Sequence, residues 1–191
     1  MPRGAMRRCP PSCWRPTALV ATLAGLVACG HSASLAGDVV EKGSVRIHVG
    51  PVPPTWRRIQ VDGADMAFRD DAKEGSALFD VRCGRRDDDA PLTALTDHLI
   101  MGTTQRDYAS QEVVPFDGRE VMHTRLSAKL DGVPMQYDIY VMKKDGCVVD
   151  LVYVAPPNRF ADGTADFQRF ALGLHVLSAS PAAPAGASSD P

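Results

Sequence analysis

The sequence has little charge of one sign: 21 Lys and Arg against 23 Asp and Glu leave a net charge of −2. That excludes a strongly basic nucleic-acid binder and gives no support to an acidic buffer protein. The chain also lacks the short motifs of common chemistries. It holds no HExxH, no P-loop, no dinucleotide fingerprint and no GxSxG elbow. The five histidines (His31, His48, His98, His123 and His175) are scattered, so each is expected to be structural and no metal site is expected. No internal repeat is present, and 191 residues are too few for a large two-domain enzyme. A long apolar run is missing too. Ala18–Ala28, interrupted by Thr22 and Gly25, is about half of the ~20 residues that a membrane crossing needs.

What stands at the N-terminus is an address. Arg3, Arg7, Arg8 and Arg15 precede that short run, and no acidic residue occurs before Asp38. A basic front, a short apolar stretch and a small-residue exit describe a secretory signal over residues 1–28. Its exit, Leu26-Val27-Ala28-Cys29, resembles the bacterial lipoprotein cleavage box. The resemblance implies cutting before Cys29, a thioether lipid on its thiol and acylation of the new amine. Two or more chains anchor stably, at about 0.8 kcal/mol per buried methylene. Gly30 rather than an Asp follows the cysteine, which by the same resemblance implies the outer membrane, with the body facing the periplasm. Loss of residues 1–28 removes four arginines and no acid. The remaining 163 residues carry 17 basic and 23 acidic side chains, a net charge of −6. The lipid, not surface charge, must then hold the protein to an anionic membrane.

Of five cysteines, Cys9 and Cys13 leave with the signal and Cys29 takes lipid, so Cys83 and Cys147 remain. In an oxidising compartment a disulfide is the simplest reading of that pair. Two buried free thiols are the alternative, and without CxxC spacing a redox-active pair is weakly supported.

The rest divides into a tether, a body and a tail. Residues 29–43 read as a lipidated cysteine and a flexible tether, and residues 178–191, rich in Pro, Ala and Ser, as a disordered tail. The body, residues 44–177, holds one core. Val45–Val49 alternates as a strand. Pro51, Pro53 and Pro54 force an extended bend that Trp56 anchors. Short strands follow near Arg57–Val61 and from Ala64 to Phe68. Ser76–Cys83 is a further strand, with Leu78 and Val81 facing inward. Asp87, Asp88 and Asp89 precede a helix over about Pro91–Met101. They read as a helix start, with calcium binding as the lesser reading because the spaced oxygens of such a loop are missing. From Glu112 to Ala155 the pattern is a β-meander, with Asp131-Gly132 its strongest hairpin signal. Asp162 or Thr164 would cap a last helix over Gly163–Val176. The fold class is α+β: an antiparallel sheet with helices packed on it.

This order of elements resembles the Mog1/PsbP-like family. The residues carrying the likeness are Pro53-Pro54-Thr55-Trp56, Gly118-Arg119 opening the strand after the first helix, Asp131-Gly132, and the Phe167 to Phe170 helix. The resemblance implies an α-β-α sandwich around a curved antiparallel sheet, and binding or assembly rather than catalysis.

Two surfaces are candidates. Tyr140 with Met142 and Met122 either packs beneath a helix or presents an apolar recognition face. Arg159 and Phe160, in the loop after Pro156-Pro157 and near Trp56, supply an arginine and an aromatic of the kind that anchors interfaces. His123 and Asp138 are expected to face each other across the Asp131-Gly132 hairpin, as an acid/base couple or a cross-strand salt bridge. The expected function is a non-enzymatic envelope lipoprotein that binds or scaffolds a protein and carries no cofactor. The alternatives are a small apolar or lipidic ligand held between sheet and helix, and an envelope hydrolase.

Overall fold

The computed structural model describes residues 34–36, 39–42, 45–84 and 90–179. The chain divides at Gly30, and the described residues all belong to the part that follows. The expected signal, Cys29, the Asp87–Asp89 run and residues 180–191 lie outside the described residues.

Among the described residues thirteen elements follow one another: β1 (Ser34–Ala36), β2 (Val39–Lys42), β3 (Val45–His48), β4 (Arg57–Ile59), β5 (Met66–Asp70), β6 (Gly75–Cys83), α1 (Leu92–Leu99), β7 (Thr103–Phe116), β8 (Arg119–Leu130), β9 (Val133–Lys144), β10 (Cys147–Ala155), α2 (Phe160–Leu172) and β11 (His175–Ala179). Seven strands form one antiparallel sheet in the order β4-β5-β6-β10-β9-β8-β7, and four form a second, β1-β2-β3-β11.

Three Asp-Gly pairs set the register of the large sheet. Asp117-Gly118, Asp131-Gly132 and Asp145-Gly146 all have positive φ at both residues, between 45° and 82°. That is the type I′ turn, whose twist matches the flanking strands. Each pair is the whole loop, so Phe116 faces Arg119, Leu130 faces Val133 and Lys144 faces Cys147. The expected pairing of His123 with Asp138 is therefore off by two. Arg125 stands opposite Asp138, and His123 stands opposite Tyr140.

The larger core lies on one face of the seven-stranded sheet, beneath α2 and the small sheet. It joins Val40, Val45 and Ile47 to Phe79, Leu151, Tyr153, Phe167 and Phe170. The smaller core lies on the other face beneath α1, among Leu95, Ile100, Leu126, Ile139 and Val141. Period two divides the strands between them. Tyr140 and Met142 belong to the first core, Tyr137 and Met122 to the second. Met122 is thus not a neighbour of Met142 on one face, because it stands opposite Val141. Likewise Ala77, Phe79 and Val81 enter the larger core, while Leu78 points to the opposite face.

Other expectations need correction. The segment expected to be a flexible tether contains β2, whose Val40 is 1% exposed and pairs with Ile47. The last helix starts at Phe160 rather than Gly163 and ends at Leu172, and Val176 belongs to β11. Neither Asp162 nor Thr164 caps it; the Thr164 hydroxyl donates to the Phe160 carbonyl within the first turn. The first helix is shorter than expected, and Pro91 stands at its N-cap without a side-chain hydrogen bond. The meander begins at Thr103, nine residues before Glu112.

Gly163 shows how closely α2 is set. A Cβ there would collide with the Tyr153 ring, 2.7 Å from Cζ and nearer still to the hydroxyl. Tyr153 is 1% exposed, so its ring has nowhere to go. Gly163→Ala is expected to cost about 2 kcal/mol by overpacking. Adding Tyr153→Phe, which deletes the colliding oxygen, should recover roughly half of it. Urea unfolding of both variants checks this.

Candidate functional site

The expected recognition surface is not a surface. Trp56, Tyr140 and Met142 are all buried, at 8%, 5% and 1% exposure. The Trp56 ring lies 5.7 Å from Phe68 and 5.5 Å from Phe170, and Tyr140 lies 6.0 Å from Phe167. Of the two readings of Tyr140, packing beneath a helix is the one observed, because α2 descends on β6, β9 and β10. Phe160 is half-buried against Tyr153 at 5.5 Å. Arg159 is half-buried as well, and it faces Glu74 at 3.8 Å and Asp162 at 3.4 Å.

His123 and Asp138 do meet, diagonally. His123 Nε2 lies 2.6 Å from Asp138 Oδ1, and Arg125 donates to Asp138 Oδ2 at 3.1 Å. Both oxygens of a fully buried carboxylate are thereby engaged. The imidazole stacks on Tyr140 at 4.3 Å. The contact is thus cross-strand, and Asp138 shares it with an ion pair to Arg125. Cys83 and Cys147 are joined by a disulfide. Among the described residues no group of three or more His, Cys, Asp or Glu is arranged to hold a metal ion.

Two features missed in the sequence are better candidates. The first is a cleft on the α1 face. An eight-residue helix is about 12 Å long, whereas seven strands span about 29 Å. α1 packs mainly on β8 and β9, and beside it Leu78 of β6 and Val152 and Val154 of β10 are only half-buried. There a cavity of about 340 Å³ is lined by Leu78, Leu99, Tyr137, Val152 and Val154, with Asp62 and Leu130 among its other walls. At one end Arg82 Nη1 lies 2.9 Å from Asp80 and 2.7 Å from Asp150, whose side chain is 2% exposed. Lys42 Nζ lies 2.7 Å from Asp65 and 3.8 Å from Asp80, and donates to the Val81 carbonyl. Burial, then the nearby Asp65 carboxylate, push the Asp80 carboxyl above its usual range despite Lys42 and Arg82. The sequence held a signal for this site: Asp150 interrupts the apolar run Cys147–Val154.

The second feature is the β7 edge. β7 has fourteen residues and, among the described residues, β8 as its one neighbour in the sheet. From Thr104 to Val113 every residue is exposed except Arg106 and Ser110, which are half-buried. Tyr108 is 41% and Val113 50% exposed.

Asp117, in the turn after β7, ties the two sheets together. Its carboxylate accepts from Lys144 of β9, from His175 at 2.9 Å and from the Val176 amide at 3.2 Å. Burial raises this carboxyl, but the hydrogen bonds from Lys144, His175 and Val176 outweigh it and hold it below the usual range. A depressed folded value contributes stability above the unfolded value of about 3.9, lost as pH falls through the folded value. Asp117→Asn should therefore flatten the acid limb of the stability–pH curve below about pH 4. Thermal melts from pH 7 to 3 on both proteins check it.

No protein-family model matches the chain, and no curated protein matches it in sequence. Solved structures do match in fold. Cyanobacterial PsbP (CyanoP) from Synechocystis sp. PCC 6803 is 16% identical with a TM-score of 0.52, over 75% of this chain and 97% of that one. LpqN of Mycobacterium tuberculosis, described as involved in cell envelope biogenesis, is 14% identical with a TM-score of 0.51, over 71% and 86%. The fold is Mog1/PsbP-like. In this Mog1/PsbP-like body the large sheet carries α1 on one face and α2 on the other, and both candidate features lie where those helices stop. No helix among the described residues is long and apolar enough to cross a membrane.

Proposed function

We propose that the chain is a non-enzymatic lipoprotein of the bacterial envelope, anchored through Cys29, that holds an envelope protein against the β7 edge. One observation carries this reading: β7 is a long strand at the sheet's edge whose Thr104–Val113 stretch is largely exposed. Fourteen extended residues reach about 45 Å, long enough for the ~800 Å² per partner of a stable interface. Natural edge strands are usually shortened, charged or bulged to discourage pairing. β7 has register shifts near Gln105 and Ala109, whereas Gln111–Phe116 pairs regularly with β8. That second half, with Val113, is the part a partner would cover. The described role of LpqN, in envelope biogenesis, agrees with the compartment proposed for this chain. The anchor places the body at the outer membrane, facing the periplasm.

A photo-crosslinking residue at Val113, in intact host cells, should give a discrete adduct. One at Leu172, 53% exposed on α2, should not. Introducing Glu112→Ala with Tyr108→Asp should abolish the Val113 adduct. Identical products from both positions, or no product at Val113, would refute the docking. Intact mass of host-made protein tests the anchor separately: residues 1–28 should be gone and acyl chains present on Cys29.

A further inference from the structure

We propose that the cleft on the α1 face binds a fatty acyl ester, with the ester carbonyl accepting the Tyr137 O–H and hydrocarbon lying on both sides of it. The site does not depend on the docking proposed for β7.

Three observations converge. The first is capacity. The cavity is about 340 Å³. An apolar cavity of about 150 Å³ holds one benzene, so on that scale the cleft takes roughly a dozen non-hydrogen atoms.

The second is the course of its apolar lining. Val152 and Val154 are two apart on β10 and share a face, and Leu78 of β6 stands opposite Val152. Leu99, the last residue of α1, borders this floor. All four are only half-buried. Further along the same face, Leu130 and Val133 are partners at the β8–β9 hairpin, 40% and 56% exposed. Met101, just ahead of β7, is 66% exposed. Floor and rim make one strip, running along β9 from Ile139, opposite Val152, to Val133, about 20 Å. Hydrocarbon laid on this strip gains by leaving water.

The third is Tyr137. It stands opposite Val154, inside the strip rather than at its end. It lines the cleft and is 6% exposed, and its hydroxyl has no hydrogen-bond partner among the described residues. A buried hydroxyl without a partner is costly in a folded protein. The other hydroxyl lining the cleft is already committed, since Thr103 donates to the Ile100 carbonyl at 2.7 Å and accepts from Arg106 Nε at 2.9 Å. A water at Tyr137 would therefore find few of the several polar partners that hold a buried water.

A polar atom flanked by apolar surface on both sides calls for a ligand whose polar group is inside the chain, not at its tip. An acyl ester has that pattern. Its carbonyl oxygen accepts from Tyr137, its acyl chain covers Val154, Val152 and Leu78, and its alcohol part leaves past Leu130. The ion-paired end at Asp80, Arg82 and Asp150 lies beyond the acyl terminus and plays no part in the selection.

The test uses the purified full chain, free of detergent, and calorimetry at pH 7. The probes are methyl octanoate and ethylbenzene, which has no hydrogen-bonding group, each below its aggregation concentration. Methyl octanoate should bind. Tyr137→Phe should weaken it about fivefold, the loss of one neutral hydrogen bond. The same variant should leave ethylbenzene unchanged and the free protein at least as stable. Leu78→Trp, which fills the floor, should abolish binding of both probes while circular dichroism stays native. If that variant does not fold, Tyr137→Phe carries the test. 1-Octanoylglycerol and dioctanoylphosphatidylcholine separate the two sources of such an ester: the one bound more tightly, with the same Tyr137 dependence, marks a neutral glyceride or a phospholipid as the natural class. Absence of methyl octanoate binding, binding unaltered by Tyr137→Phe or Leu78→Trp, or an equal loss of ethylbenzene in Tyr137→Phe would overturn the proposal.

Discussion

Replacing both Cys83 and Cys147 by alanine is expected to lower unfolding free energy by about 4 kcal/mol, on the loop-entropy estimate for residues 64 apart. The two cysteines are register partners across β6 and β10, in the middle of the seven-stranded sheet. Eight pairs of residues already hold those strands in the folded state. The bond therefore adds little to native geometry and acts mainly on the unfolded chain, where it closes a large loop. At about 2–4 °C per kcal/mol for a protein of this size, the melting temperature should fall by roughly 12 °C. Cys83 is exposed, so a reductant should produce the same drop without any substitution. Urea unfolding with and without dithiothreitol measures it. A loss below about 1 kcal/mol would show that the reduced unfolded chain is already ordered between these strands.

The second large effect is expected at Phe170. Its side chain is fully buried where α2, β5 and the bend before β4 meet, 5.5 Å from Trp56 and 5.9 Å from Phe68. Its carbonyl also accepts the Gly50 amide at 3.0 Å, which ties the end of β3 to the helix. Phe170→Ala should cost about 4 kcal/mol through lost burial plus a cavity that its aromatic neighbours cannot fill. Phe170→Leu should cost about 1 kcal/mol. Trp56 is the one tryptophan after Trp14, so its emission reports this contact directly. It should shift to longer wavelength in the alanine variant before global unfolding. A double-mutant cycle with Trp56→Leu should show coupling of about 1 kcal/mol. Independence of the two sites would refute the packing described.

These residues also show what the sequence made legible. The meander was readable because β8, β9 and β10 are covered by helices and therefore alternate or run apolar. The Asp-Gly turns were readable because their torsions favour that pair. β7 before Glu112 was not, since a strand exposed on both faces has no reason to alternate. β2 was missed because one buried valine, Val40, in a small polar stretch gives no period. β11 was missed because Leu174 and Val176 continue the helical spacing of α2, and only tertiary pairing with β3 distinguishes them. Tyr140, Met142 and Trp56 were rightly seen as large apolar groups, but a sequence does not say which face a helix will cover. The cleft depends on α1 being too short for its sheet, a comparison of lengths between elements distant in the chain.

β11 has one more implication. It pairs with β3, so that His175 lies beside His48, 127 positions earlier in the chain. A polypeptide still on the ribosome, or still threading through a translocation pore, cannot complete this pairing until His175 and the residues after it emerge. The small sheet is thus a latch that closes long after β3 has been made, and a product stopped before His175 would leave Ile47 with an open strand edge for proteases to find.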